Sequence, residues 1–127
     1  MDKPITVLYV EDDEDIRDVA ELALEGDDFI LLSCECGDVA LEKAALSSPD
    51  LLLLDVMMPD MDGPTTLKRL RTIPHLESTP AIFMTAKVQP AEVKAYHEYG
   101  AIGVISKPFD PMLLADEIMK LMERRSV

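Results

Sequence analysis

The 127-residue sequence has no tryptophan and only three phenylalanines and three tyrosines, too few rings for a platform on which successive bases of a single strand could stack. Its two cysteines, Cys34 and Cys36, stand two apart, where side chains on a strand share a face but rarely have disulfide geometry. No other cysteine completes a disulfide framework or a zinc quartet, so both read as small buried or half-buried thiols. Positive charge is scarce as well: 12 basic against 25 acidic residues leave a formal charge of −13, a surface that repels a phosphate backbone. The basic residues that do cluster, Lys68-Arg69-Leu70-Arg71 and Arg124-Arg125, read as the solvated side of a helix and a C-terminal fringe. Direct nucleic-acid binding is therefore not expected. No apolar run approaches the ~18 residues of a membrane span, and Met1-Asp2-Lys3-Pro4 lacks the charged-then-apolar pattern of a signal peptide. The expectation is a cytoplasmic chain with no membrane insertion.

Apolar residues, 48% of the sequence, fall instead into five short runs at 5–10, 29–33, 50–55, 80–84 and 102–106. They barely alternate with polar residues, the pattern of strands covered on both faces. Helical patterns lie between them, near 14–26, 38–48, 64–73, 90–99 and 111–124. Ile16, Val19, Ala20 and Ala23 in the first, and Leu114, Ile118, Leu121 and Met122 in the last, follow the 3.6-residue period of a core-facing stripe. Gly26 and Gly100 are placed to end helices, Asp62-Gly63-Pro64 and Asp110-Pro111 to begin them, while Pro74 and Ser48-Pro49 stop two others. The reading is an α/β fold of five βα units with right-handed crossovers: a doubly wound, five-stranded parallel sheet. A chain of this size buries roughly two thirds of its unfolded surface, enough for a core of its own. With no repeat or linker, one domain is expected over residues 1–127, with no output domain.

In such sheets, sites form beyond the C-terminal strand ends, near the point where strand order reverses. Four of these ends carry polar side chains: Glu11-Asp12-Asp13 after the first strand, Asp55 closing the third, Thr85 the fourth, and Lys107 after the fifth. Each has an ordinary explanation alone, a solvated charge run, a strand-end hydroxyl or a surface lysine. Together they converge on one edge. Carboxylates ~4 Å apart repel by roughly 4 kcal/mol per pair at an effective dielectric near 20, so a shared cation is the natural remedy. Oxygen donors without a histidine cluster favour Mg²⁺. His75 and His97 lie outside the strand ends and read as surface residues.

Val10-Glu11-Asp12-Asp13, Leu54-Asp55-Val56-Met57-Met58-Pro59 with Asp62-Gly63, Met84-Thr85-Ala86 and Ser106-Lys107-Pro108-Phe109 occur in this βα order. In that combination the sequence resembles, over essentially its whole length, the receiver domains of two-component response regulators. The resemblance implies a flavodoxin-like strand order 2-1-3-4-5, with Asp55 as phosphoacceptor. It further implies a Mg²⁺ site made by Asp12 directly, Glu11 mainly through water, Asp55, and the backbone carbonyl of Met57. Thr85 becomes the signalling hydroxyl, Lys107 the conserved ammonium, Asp13 an extra acid at the loop start, and the Lys107-Pro108 peptide cis. One departure stands out: relatives commonly carry Tyr or Phe three residues before the lysine, and this chain has Val104, which cannot act as an aromatic rotamer switch.

The implied activity is phosphoacceptance from a sensor histidine kinase or histidine phosphotransfer protein, the chain catalysing its own phosphorylation and dephosphorylation without acting on a separate small molecule. Ile16 and Pro108-Phe109 are candidate contacts for that donor. Helix four, strand five and helix five, with Lys94, Tyr96, Tyr99 and Lys120, form the other candidate surface, for a downstream protein target or a self-dimer. Two alternatives stay open. An aspartyl-phosphate hydrolase shares the residue types but commonly places its nucleophile on the first strand, with a second aspartate two positions later, where this chain has Met57. A constitutive protein-binding module that ignores phosphate is left open by Val104.

Overall fold

A computed structural model describes residues 3–124. Arg125, the second half of the C-terminal basic pair, lies outside the described residues. The strands are β1 (Ile5–Val10), β2 (Phe29–Cys34), β3 (Leu51–Asp55), β4 (Ala81–Thr85) and β5 (Gly103–Ser106). They alternate with α1 (Glu14–Ala23), α2 (Gly37–Ala45), α3 (Gly63–Leu70), α4 (Pro90–Glu98) and α5 (Leu114–Arg124). All strand pairs are parallel, in the order β2-β1-β3-β4-β5. The expected doubly wound sheet, with its order 2-1-3-4-5, is what the chain forms.

Unalternating strands have a direct consequence in the core. Because successive side chains point to opposite faces, the buried Leu51-Leu52-Leu53-Leu54 run feeds two apolar layers at once. Leu52 and Leu54 join Leu8, Phe83 and the inner faces of α2, α3 and α4, where Ala40, Leu67 and Tyr96 pack. Leu51 and Leu53 join Val7, Tyr9, Ile82 and Met84 against α1 and α5, through Ala20, Leu114 and Ile118. Each fully buried leucine contributes about 1.5–3 kcal/mol, so this short strand anchors both layers and fixes Asp55 at its end.

Several helix ends fall inside their expected limits. α1 stops at Ala23, and Gly26, at φ 131°, turns the chain toward β2. α3 ends at Leu70, and Pro74 opens a separate 3-10 turn, Pro74–Leu76, in place of a third helical turn. α5 begins three residues later than Pro111, because Asp110 holds a turn of its own: its Oδ1 accepts from Met112 N at 2.9 Å and its carbonyl from Leu113 N at 3.0 Å.

Candidate functional site

Strand order reverses between β1 and β3, and parallel pairing continues past the C-terminal strand ends between β1 and β2, β3 and β4, and β5 and β4. Glu11 N donates to Cys34 O at 3.0 Å, Val56 N to Met84 O at 3.0 Å, and Lys107 N to Thr85 O at 2.9 Å. These three bonds set the heights at which the polar side chains leave the sheet. Lys107, whose peptide to Pro108 is cis, donates from Nζ to Glu11 Oε1 at 2.7 Å and to Asp55 Oδ1 at 3.0 Å. The partners are 96 and 52 residues away in sequence, so only this topology unites them. Asp12 stands exposed beside them, and one oxygen each from Glu11, Asp12 and Asp55 lie within 4.8 Å of one another.

Glu11 is fully buried, Asp55 is 2% exposed, and the Lys107 side chain retains 17% exposure. Burial, then the charge of Glu11, push the Asp55 carboxyl up to about 7, and the hydrogen bond from Lys107 offsets them only in part. Burial alone pulls Lys107 down, but its bonds to Glu11 and Asp55 prevail and hold the ammonium above its ordinary value. The cluster is thus short of positive charge: one ammonium serves two buried carboxylates and a third at the rim.

Local devices hold each group in place. Asp13, read from sequence as a spare acid, caps α1: its Oδ1 accepts from Asp15 N at 2.9 Å and Ile16 N at 3.1 Å. Its own N–H donates to Glu11 Oε2 at 3.2 Å, and Arg17 Nη1 donates to the Glu11 carbonyl at 2.8 Å. Gly63 is required by close approach, since a Cβ there would lie 2.6 Å from the Asp55 carbonyl oxygen. Its N–H donates to Val56 O at 2.9 Å, and Asp60, at φ 68°, turns the intervening loop. Thr85, buried at the end of β4, accepts through Oγ1 from Lys87 N at 3.0 Å, which leaves its O–H free to donate. The Met57 side chain is exposed beside the cluster.

Sequence reading missed Arg17, the capping role of Asp13, and Tyr9, whose hydroxyl is fully buried without a hydrogen-bond partner. Burial and the charges of Glu11 and Asp55 hold that phenol above its ordinary range, hence protonated. Tyr96, expected on a partner surface, is 7% exposed and packs edge-to-face on Phe83 with ring centroids 5.5 Å apart. Tyr99 faces α3 across a groove shared with Leu67 and Arg71. Lys94 and Lys120 are exposed as expected, and the surface of α4, β5 and α5 also carries a groove of about 420 Å³ that includes Val88, Val93, Val104, Glu117 and Leu121. Val104 itself sits opposite Phe83 in the β4–β5 register as a half-buried strand residue. His75 and His97 are both exposed. Next to Lys107, Ile16, Val19, Ala86, Pro108 and Phe109 line a nearly wholly apolar groove of about 490 Å³. No helix among the described residues is long and apolar enough to cross a membrane.

Comparison with known proteins agrees with this geometry. Residues 7–119 match the family model of the response regulator receiver domain. The transcriptional regulatory protein CseB of Streptomyces coelicolor is 39% identical over 119 residues, covering 93% of this chain and 49% of that protein. The chain therefore spans about half the length of curated relatives such as CseB. Among solved structures, chemotaxis response regulator CheY4 of Vibrio cholerae is 28% identical at a TM-score of 0.87, covering 94% of this chain and 99% of its own. A putative response regulator from Chloroflexus aurantiacus is 32% identical at a TM-score of 0.84, covering 95% and 99%. With the strand order, the strand-end residues and the family match in agreement, the chain belongs to the receiver-domain family of two-component response regulators.

Proposed function

We propose that Asp55 accepts a phosphoryl group from a sensor histidine kinase or histidine phosphotransfer protein in a Mg²⁺-dependent step, and that the phosphorylated chain signals through protein contacts. The observation that carries this reading is the Lys107 ammonium bridging Glu11 and Asp55 at hydrogen-bond distance, with Asp12 beside them. The donor set fits the metal: three carboxylates supply hard oxygens within 4.8 Å, with no imidazole or thiolate in the cluster, and the deficit of positive charge disfavours leaving Asp55 ionised alone. Asp12, Asp55, the Met57 carbonyl and, mainly through water, Glu11 would hold it. The chemistry that a bound Mg²⁺ supplies there is neutralisation of charge on the phosphoryl and carboxylate oxygens.

The remaining work belongs to the side chains. An Asp55 carboxylate oxygen forms the new P–O bond as the P–N bond of the donor phosphohistidine breaks, and the departing imidazole takes up a proton. Lys107 exchanges its Asp55 contact for a phosphoryl oxygen and keeps Glu11, so the ammonium never loses a partner. Thr85 donates its O–H to another phosphoryl oxygen while still accepting from Lys87 N. Any inward shift of that hydroxyl is therefore passed along the backbone to Lys87 and toward Pro90, the first residue of α4. With Val104 in β5, this backbone bond offers a coupling path that needs no moving ring. Later attack by water on the acyl phosphate returns Asp55 and ends the signal.

Phosphotransfer from an autophosphorylated sensor kinase, followed with and without EDTA in wild type and D55N, tests the reading. It expects label that depends on both Asp55 and the metal. Turnover of small phosphomonoesters, or EDTA-resistant label retained by D55N, contradicts it.

A further inference from the structure

The three carboxylates of the cluster are held in unequal ways. Glu11 is tied at both oxygens, Oε1 to Lys107 Nζ at 2.7 Å and Oε2 to Asp13 N at 3.2 Å, and Asp55 is tied to Lys107 at 3.0 Å. Asp12 is exposed, and among the described residues its side chain forms neither a hydrogen bond nor a salt bridge. The direction in which its carboxylate leaves the chain is therefore left to the two peptides that flank it.

Both of those peptides are pinned. The one after Asp12 donates its N–H, that of Asp13, to Glu11 Oε2. The one before Asp12 offers its carbonyl, that of Glu11, to Arg17 Nη1 at 2.8 Å. Arg17 is fixed in turn by α1: its backbone N–H donates to the Asp13 carbonyl at 2.9 Å, within the first turn that the Asp13 carboxylate caps. The guanidinium thus ties the start of α1 back to the end of β1, across the loop that bears the acids. It is half-buried and forms no salt bridge among the described residues, so no acid partner accounts for its inward turn.

Resting on the Mg²⁺ reading above, we propose that Arg17 is a positioning residue for the metal site: its bond to the Glu11 carbonyl fixes the Glu11–Asp12 peptide and so aims Asp12, the one carboxylate of the cluster with no tether of its own. The sign of the effect separates this role from a plain effect of charge. Arg17 is a cation close to three carboxylates, so by Coulomb attraction alone its loss would strengthen the binding of another cation. As a positioning residue its loss weakens binding instead, because the freed peptide has to be ordered when the ion arrives.

The test titrates wild type, R17M and R17K with Mg²⁺ and follows backbone amide shifts by NMR. Methionine removes both the donor and the charge, whereas lysine keeps the charge with a reach one bond shorter. R17M is expected to bind Mg²⁺ about tenfold more weakly, with R17K in between. The Mg²⁺ concentration that gives half-maximal labelling of Asp55 by acetyl phosphate should rise by the same factors. In the metal-free proteins, ¹⁵N relaxation should show the Asp12 and Asp13 amides losing order in R17M while the amides of β1 keep theirs, a local change that a general loosening of the fold would not give. If wild type binds no Mg²⁺, the metal reading falls, and the relaxation measurement alone decides whether Arg17 positions Asp12. If R17M does not fold, R17K carries both measurements, and wild-type values there overturn the proposal. Unchanged or tighter Mg²⁺ binding in R17M, or an Asp12 amide as ordered as in wild type, overturns it as well.

Discussion

Replacing Asp55 by asparagine should stabilise the protein when no metal is present. A carboxyl moved from 3.8 to about 7 binds its proton more tightly in the folded than in the unfolded chain. The sign follows: stability is fully present below the unfolded value, is lost as pH rises through the folded one, and is flat above it. At ~1.36 kcal/mol per pK unit, the displacement amounts to about 4 kcal/mol carried against folding at pH 8. Asparagine keeps the shape, removes the charge facing Glu11 and leaves Lys107 its bond to Glu11 at 2.7 Å. After relaxation and the loss of the second Lys107 contact, D55N should recover about 1–3 kcal/mol, or ~3–10 °C in Tm for a domain of this length. Thermal unfolding followed by circular dichroism in EDTA reads it. D55N should melt higher at pH 8, the gap should narrow as pH falls toward 4, and added Mg²⁺ should close it by stabilising the wild type. A D55N that melts below wild type at pH 8 in EDTA, or a gap indifferent to pH, refutes the reasoning.

The same protonation predicts the pH profile of labelling: at low free Mg²⁺ the rate from acetyl phosphate should rise with pH to a midpoint near about 7, and saturating Mg²⁺ should move that midpoint down. A profile with the same midpoint at both metal concentrations counts against Asp55 as the titrating nucleophile. Tyr9→Phe removes a buried hydroxyl that has no partner, and should raise stability by about 1 kcal/mol in chemical denaturation; a loss of that size would mean that the hydroxyl has found a hydrogen bond. Gly63→Ala forces a methyl against the Asp55 carbonyl, so it should cost about 1–3 kcal/mol and slow labelling. Wild-type values in both assays would show that the loop yields freely.

The fold was legible because its strands are apolar without alternation: the four-leucine run before Asp55 allows little besides a strand covered on both faces, and proline and glycine mark most of the breaks. Strand-end residues followed from that topology, since parallel pairing leaves Glu11, Asp55, Thr85 and Lys107 at one edge of the sheet. What stayed hidden depends on side-chain direction and reach. Arg17 looked like one charge among the many of α1, and nothing in its spacing shows a guanidinium turned back to the Glu11 carbonyl. Tyr9 read as part of an apolar strand, which its ring is; only the packing above it reveals the stranded hydroxyl. Tyr96 went wrong through its position on α4, a helix short enough that a small difference in rotation decides whether a ring meets Phe83 or solvent. The late start of α5 reflects the two bonds of Asp110, which compete with the helical pattern that Pro111 suggested.

The central claim is that the buried carboxylate beside Lys107 carries the phosphoryl group. Borohydride reduction of the phosphorylated protein, followed by peptide mass spectrometry, reads the carrier directly, because an aspartyl phosphate is reduced to homoserine. The account predicts homoserine at position 55 alone, in material phosphorylated with Mg²⁺ and not in material held in EDTA. Homoserine at Asp12, Asp13 or any other position, or phosphate retained on a residue that borohydride does not reduce, would contradict it.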